Sequence, residues 1–176
     1  MTLTASVTSA LTANDPRLGP WRAFLEAHAR VSRRLDEDLR AEQDLSLAEY
    51  EALLSIAQAP GRRIRMRQLS DQVILSKSGV TRLIDRLVAD RLVERSACLA
   101  DGRGAEAVLT DEGLARLRAA SRTHLRGITE HFIEPLDGTD MGALEASMRA
   151  VAVSAAPGSP VRDACGPDGT GPDDPR

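Results

Sequence analysis

Side chains suited to binding a nucleic acid are concentrated in one short stretch of the chain, which contains Ser76, Lys77, Ser78, Thr81, Arg82 and Arg86. Hydroxyls can donate to phosphates, lysine and arginine can reach guanine O6 and N7, and a threonine methyl can pack on thymine. We predict that Lys77 and Arg82 read bases and that Thr81 offers its methyl group. Ser76 and Ser78 are expected to bind phosphates, with Arg86 along the DNA backbone. The simpler alternative is that the serines only cap a helix and that the arginines are solvated charges.

A second candidate contact is the motif Asp101-Gly102-Arg103. An arginine at the tip of a hairpin suits the negative potential of a DNA minor groove. Asp101 cannot face DNA favourably, so we expect it to hold an arginine or the loop backbone in place. An ordinary Asp-Gly turn would explain Asp101 and Gly102 but not Arg103.

The apolar spacing places these residues on a helix-turn-helix followed by a hairpin. Residues 65–73 and 76–91 both carry apolar residues at helical spacing, and the connection between them has room only for a tight turn. Residues 92–100 and 106–110 flank a glycine-bearing turn, which predicts two strands. The predicted fold class is therefore mainly α with a small β-hairpin wing, a winged helix-turn-helix.

Helices are predicted on both sides of this module. Apolar residues from 21 to 39 recur at helical spacing, and Ser46 with Glu49 forms a capping box for a second helix. Thr110 caps a long helix that is expected to run to Pro135. One small chain has little against which to pack the terminal apolar stripes, so we expect dimerisation through the N- and C-terminal helices.

These elements divide the chain into five predicted segments. They are a flexible arm (1–16), a dimerisation helix (17–45), a winged helix-turn-helix DNA-binding domain (46–110), dimerisation helices (111–156) and a disordered tail (157–176). The tail is rich in proline, glycine and aspartate, a composition that cannot bury enough apolar surface to become ordered.

Charge is distributed unevenly along the chain. The net charge is −3, but residues 62–103 hold ten basic and five acidic residues, so this segment is +5 and the remainder −8. A basic segment in an acidic frame is typical of a local DNA footprint, although a solvated charged surface is the alternative. With no long apolar run and no signal peptide in the sequence, we expect a cytoplasmic protein.

No arrangement of residues predicts catalysis, a cofactor or a metal. The sequence has no glycine-rich phosphate loop and no Ser-His-Asp arrangement, so we do not expect an enzyme. His124 and His131 are seven positions apart, too distant to chelate one ion as an i, i+4 pair would. Cys98 and Cys165 are far apart in the sequence and predict no disulfide framework.

Three stretches of the sequence resemble the MarR (multiple antibiotic resistance regulator) family. Its most specific signature is an Asp-x-Arg wing tip, then an aliphatic-Leu-Thr strand end and a glycine in the next helix. Here these are Asp101-Gly102-Arg103, Val108-Leu109-Thr110 and Gly113. Residues 66–70 and 78–87 match as well, and the resemblance covers about residues 21–152.

The resemblance implies a homodimer that binds a pseudo-palindromic operator in double-stranded DNA. The first, fifth and sixth helices would form the dimer interface, and Arg67 and Gln68 join the candidate DNA contacts. It also implies repression that is relieved by a small aromatic acid. The chain departs from the family at Asp90-Arg91, where a glycine is usual, so we expect the preceding helix to end less sharply.

Trp21, His28 and Glu51 are the candidate ligand-binding residues. The urate-responsive branch of the family pairs such a tryptophan with an acidic residue on the second helix, and Glu51 lies near that position. The alternative is that Trp21 and His28 pack in a core or dimer interface and that Glu51 is solvated. Two further alternatives stay open: redox sensing through Cys98, and a winged helix used only to bind another protein.

Overall fold

The computed structural model describes residues 12–72, 77–97 and 104–155. Its helices are α1 (Gly19–Gln43), α2 (Leu47–Gln58), α3 (Met66–Gln72), α4 (Lys77–Ala89), α5 (Asp111–Ile128) and α6 (Met141–Ala155). Its strands are β1 (Arg63–Arg65), β2 (Val93–Ala97) and β3 (Ala105–Leu109). Most of the predicted arm and all of the predicted tail lie outside the described residues. None of the described helices combines the length and apolarity needed to cross a membrane.

Local sequence signals begin the first two helices. Pro20 occupies the first turn of α1, where its missing N–H is not needed. At the start of α2, Ser46 Oγ accepts from the Glu49 backbone N at 3.2 Å, and Glu49 Oε2 accepts from the Ser46 backbone N at 2.8 Å. The predicted capping box is confirmed.

The end of α4 corrects one expectation. Arg91 has a φ of 58°, in the left-handed region, and takes the place at which glycine is favoured. The backbone N of Leu92 donates to Leu87 O at 2.9 Å, and that of Arg91 donates to Val88 O at 3.0 Å. This pair of hydrogen bonds is a Schellman motif, so the helix ends as sharply as a glycine would end it. The expectation of a looser end was wrong, because the two hydrogen bonds hold an arginine in the left-handed conformation.

The sheet has three antiparallel strands in the order β1-β3-β2. The hairpin partners β2 and β3 pair Val93 with Leu109 and Ala97 with Ala105. Strand β1, which pairs with the other edge of β3 through Ile64 and Ala107, was not predicted from the sequence. A strand of three residues is too short to show alternation in the sequence. The fold class, mainly α with a winged helix-turn-helix, is confirmed.

Hydrogen bonds of Thr110, at the end of β3, attach the sheet to the start of α5. Thr110 Oγ1 accepts from the Gly113 backbone N at 2.9 Å, which caps the helix, and donates to Arg91 O at 2.8 Å. The Thr110 backbone N donates to Leu92 O at 3.2 Å. The start of α5 is therefore hydrogen-bonded to the turn that follows α4.

A single apolar core lies between the helix-turn-helix, the sheet, α2 and the adjoining parts of α1 and α5. Its largest fully buried side chains are Leu39, Leu53, Ile56, Leu69, Val80, Ile84, Leu87 and Val93. Helix α1 contributes Leu39, from its second half, to this core. The first half of the same apolar stripe projects away from this core.

The C-terminal region is less regular than the sequence predicts. The helix expected to continue to Pro135 ends at Ile128 and is followed by a π-helical turn, Thr129–Ile133, and a 3₁₀ turn, Glu134–Leu136. The backbone N of Glu134 donates to Thr129 O, five residues back, and Pro135 has no N–H to continue the helix. The expectation of one uninterrupted helix was therefore wrong.

Candidate nucleic-acid interface

Helix α4 has one buried and one exposed face. Val80, Leu83, Ile84 and Leu87 are buried in the core. The exposed polar residues are Ser78, Thr81, Arg82, Asp85 and Arg86. Their spacing of three and four residues puts them on one side of the helix. The structure thus brings together the four predicted contacts on α4 whose side chains it describes.

Arg82 is the exposed cation on this face with the fewest protein partners. Within the described parts of the chain, its guanidinium makes no hydrogen bond or ion pair. A free guanidinium retains its full set of donors for a bidentate contact with guanine O6 and N7. This geometry suits the base-reading role predicted for Arg82.

Arg86 is exposed but paired. Its Nη2 lies 3.0 Å from Oε1 of Glu49, the residue that closes the capping box of α2. The Arg86 side chain remains 61% exposed and that of Glu49 only 10%. The sequence predicted the capping role of Glu49 but not its contact with α4, because that contact is not local in the sequence.

A further pair joins α4 to the wing. Arg95 Nη2 on β2 lies 2.8 Å from Asp85 Oδ1 on α4, and both side chains are largely exposed. This contact was not predicted from the sequence. The pair ties the exposed face of α4 to the strand that leads into the wing.

The predicted contacts on α3 differ in accessibility. Arg67 is exposed, whereas Gln68 is half-buried. Gln68 Oε1 accepts from the Arg65 backbone N at 3.4 Å and so helps to begin α3.

Several predicted site residues cannot be placed. Ser76, Asp101 and Arg103 lie outside the described residues, as does Cys98. Lys77 is the first residue of α4, but its side chain is outside the described part of the structure.

The candidate ligand residues lie on the N-terminal half of α1 and on α2. Trp21 stacks on Phe24 with ring centroids 6.0 Å apart, and Phe24 contacts His28 at 6.2 Å. Burial raises the pKa of Glu51, and the electrostatic influence of His28 opposes that shift. His28 on α1 and Glu51 on α2 are thus close enough to interact, and Trp21 is linked to His28 through Phe24.

Two other histidines have separate structural environments. His124 on α5 packs against Tyr50 with ring centroids 4.4 Å apart, and burial lowers its pKa. His131 Nε2 lies 3.2 Å from Asp38 Oδ2 on α1. Among the residues that the structure describes, no cluster of three or more metal-binding side chains is present.

A helix-turn-helix whose second helix displays arginines, followed by a hairpin packed on the same core, defines the winged-helix class of DNA-binding proteins. The MarR family matches residues 43–104 of the sequence. AbsC, a MarR family transcriptional regulator from Streptomyces coelicolor, is 32% identical with a TM-score of 0.72; the alignment covers 84% of this chain and 97% of AbsC. The chain belongs to the MarR family.

Two similar structures contain DNA. Sco3205, a MarR family regulator from Streptomyces coelicolor in complex with DNA, is 29% identical with a TM-score of 0.74, over 88% of this chain and 96% of Sco3205. A mutant MarR from E. coli complexed with operator DNA is 26% identical with a TM-score of 0.66, over 81% of this chain and 99% of that one. No curated protein sequence matches the chain. Family membership makes this protein a DNA-binding transcription regulator and not an enzyme, which decides against a winged helix that serves only protein binding.

Proposed function

We propose that the protein acts as a homodimer that binds a pseudo-palindromic operator and represses transcription. The observation that carries this proposal is a set of exposed apolar side chains on α1, α6 and the C-terminal part of α5 with the turns that follow it. They are Trp21, Phe24, Leu25, Leu125, Phe132, Ile133, Met141, Met148, Val151 and Val153. A second copy of the chain would cover them, because a monomer seldom leaves so many large apolar side chains exposed.

The segments have separate tasks in this proposal. Residues 17–45 and 111–156 dimerise, and residues 46–110 bind DNA. The proposed contacts are Arg67, Gln68, Ser76, Lys77, Ser78, Thr81, Arg82, Arg86 and Arg103, with Asp101 holding the wing tip. Dimer symmetry would place the two copies of α4 in successive major grooves, with half-site centres about 10 base pairs apart.

Selection of bound sequences from a random duplex pool tests whether the operator is pseudo-palindromic. Sedimentation equilibrium tests whether the protein is a dimer. We expect an inverted repeat and a dimeric mass. Leu125→Glu places a charge on a side chain that is 61% exposed in the single chain, so it should weaken the dimer without unfolding the protomer. A monomeric wild-type protein without preference among duplexes contradicts the proposal.

We further propose that an aromatic acid binds beside Trp21, His28 and Glu51 and regulates DNA binding. The stacked rings of Trp21 and Phe24, which the dimer would enclose, and the electrostatic influence of His28 on Glu51 support this assignment. Calorimetry with a panel of aromatic acids tests it. We expect binding to the wild type that is lost in Trp21→Ala, and absence of binding to both proteins contradicts it.

A further inference from the structure

The N-terminus of α2 is a junction between three helices. Asp36 on α1 accepts from the Leu47 backbone N at 2.8 Å through Oδ1 and from Arg40 Nε at 2.7 Å through Oδ2. Burial alone would raise the pKa of Asp36, but these two hydrogen bonds lower it. One carboxylate therefore joins the first turn of α2 to an arginine of α1.

Glu49 performs the same task toward α4. Its Oε2 accepts from the Ser46 backbone N at 2.8 Å and from Ser46 Oγ at 2.7 Å, and its Oε1 binds Arg86 Nη2 at 3.0 Å. Both oxygens are engaged and the residue is only 8% exposed. These partners hold the carboxylate in one position, so Glu49 is a fixed anchor for Arg86.

The arrangement leaves Arg86 able to bind a second anion. A guanidinium has five N–H donors in a rigid fork, and the contact with Glu49 occupies only one side of it. The head group lies on the exposed face of α4 beside Arg82. A long side chain loses rotamer freedom when it binds a phosphate, and a side chain already held by Glu49 loses less.

We propose that Glu49 is a positioning residue for DNA binding: it holds the Arg86 guanidinium on the exposed face of α4, ready to bind a backbone phosphate. The inference rests on the proposed contact between Arg86 and DNA. Glu49 does not touch DNA itself. Its negative charge is paired with the Arg86 guanidinium, and we expect the loss of this pairing to outweigh the repulsion that Glu49 exerts on a phosphate.

A double-mutant cycle tests this role. Glu49→Gln keeps the capping box, since glutamine serves at that position, but removes the charge that holds Arg86. Affinity for the selected operator, measured by fluorescence anisotropy, should fall roughly threefold to tenfold in Glu49→Gln. Arg86→Ala should lose affinity too, and adding Glu49→Gln to it should cause no further loss, because the residue through which Glu49 acts is gone.

The salt dependence of affinity separates the two residues. Removing Arg86 should reduce the slope of log K against log salt by about 0.9 per chain, as expected for one lost phosphate contact. Glu49→Gln should keep the wild-type slope, because Arg86 is still present and charged. A general loss of competent protein would also lower affinity at an unchanged slope, so the slope is interpreted together with the double-mutant cycle, in which only an effect exerted through Arg86 disappears when Arg86 is absent.

Asp36→Asn is the matched control. It removes one negative charge at the same end of α2 and retains an acceptor for the Leu47 backbone N, but its arginine is Arg40 rather than Arg86. We expect a smaller loss of affinity than in Glu49→Gln, and the same loss whether or not Arg86 is present.

Thermal unfolding checks that each variant is folded. If Glu49→Gln does not fold, Glu49→Asp takes its place: the shorter side chain keeps the charge but withdraws it from Arg86, and it should lose affinity only while Arg86 is present.

The outcomes distinguish the inference from the function on which it rests. Equal losses from Glu49→Gln with and without Arg86, or a gain of affinity in Glu49→Gln, overturn the positioning role and leave the Arg86 contact intact. If Arg86→Ala changes neither affinity nor salt slope, Arg86 does not contact a phosphate, and both the proposed contact and the role of Glu49 are contradicted.

Discussion

Gly113 in the first turn of α5 packs directly on the backbone carbonyl of Leu92. A Cβ added to this glycine would lie 2.0 Å from Leu92 O and 2.8 Å from Leu109 Cδ1. The same carbonyl accepts from the Thr110 backbone N at 3.2 Å. The glycine of the family signature is thus required by the close approach of α5 to the turn after α4.

Gly113→Ala should therefore destabilise the protein even though alanine is the better helix former. The clash is with backbone, which cannot move aside without breaking the cap of α5. We expect a loss of about 2 kcal/mol or more in the free energy of unfolding, measured by urea denaturation.

Gly19→Ala provides the control for this prediction. Gly19 is exposed with helical dihedral angles, and an added Cβ would meet nothing within 4 Å. It should leave stability unchanged or raise it by about 0.4–1 kcal/mol. Equal effects at the two glycines would contradict the steric explanation.

Arg91→Gly should stabilise the protein. Arg91 has a φ of 58°, a conformation that costs an L-residue about 1 kcal/mol and that glycine adopts freely. After allowance for the greater freedom of glycine in the unfolded chain, we expect a gain of about 0.5 kcal/mol. Urea denaturation at equal protein concentration measures it.

Asp90→Gly tests whether this gain is specific to the left-handed position. Asp90 precedes Arg91 and has a negative φ, so glycine offers no relief there. That variant should lose about 0.5–1 kcal/mol. A gain at both positions would show that the backbone conformation of Arg91 is not the cause.

Arg82→Ala should weaken operator binding by about 1–3 kcal/mol and relax specificity at one position of each half-site. The physical reason is the loss of a guanidinium with no partner among the described residues. Anisotropy titrations with single-base variants of the operator measure both effects. Arg118→Ala removes an exposed arginine from α5, outside the proposed interface, and should leave specificity unchanged. A uniform loss across all sequences in Arg82→Ala would assign Arg82 to the backbone instead.

Local signals in the sequence predicted most of the secondary structure but not the contacts between residues that are distant in the sequence. The Ser46–Glu49 capping box joins residues three positions apart, so the sequence alone shows it. The contact of Glu49 with Arg86 depends on how α2 and α4 cross. Local spacing in the sequence does not determine how two helices cross, so it could not predict this contact.

The missed strand and the misjudged helix end have related causes. Strand β1 has only three residues and forms because β3 offers it a free edge. Arg91 adopts its conformation because the hydrogen bonds of the turn require it, against the preference of its own residue type. In both cases the tertiary structure overrides the local signal.

His124→Phe should reduce the acid sensitivity of the fold. Burial against Tyr50 lowers the pKa of His124 below its ordinary value of 6.5, so the folded state binds the proton less readily than the unfolded state. Stability is then unaffected above that value and is lost as the pH falls through it, because the unfolded state takes up the proton first. Phenylalanine keeps a ring against Tyr50 and cannot titrate. We expect urea denaturation at pH 7.5 and pH 5 to show a smaller loss of stability in His124→Phe than in the wild type, and an equal loss in both proteins would show that His124 is not a source of the acid sensitivity.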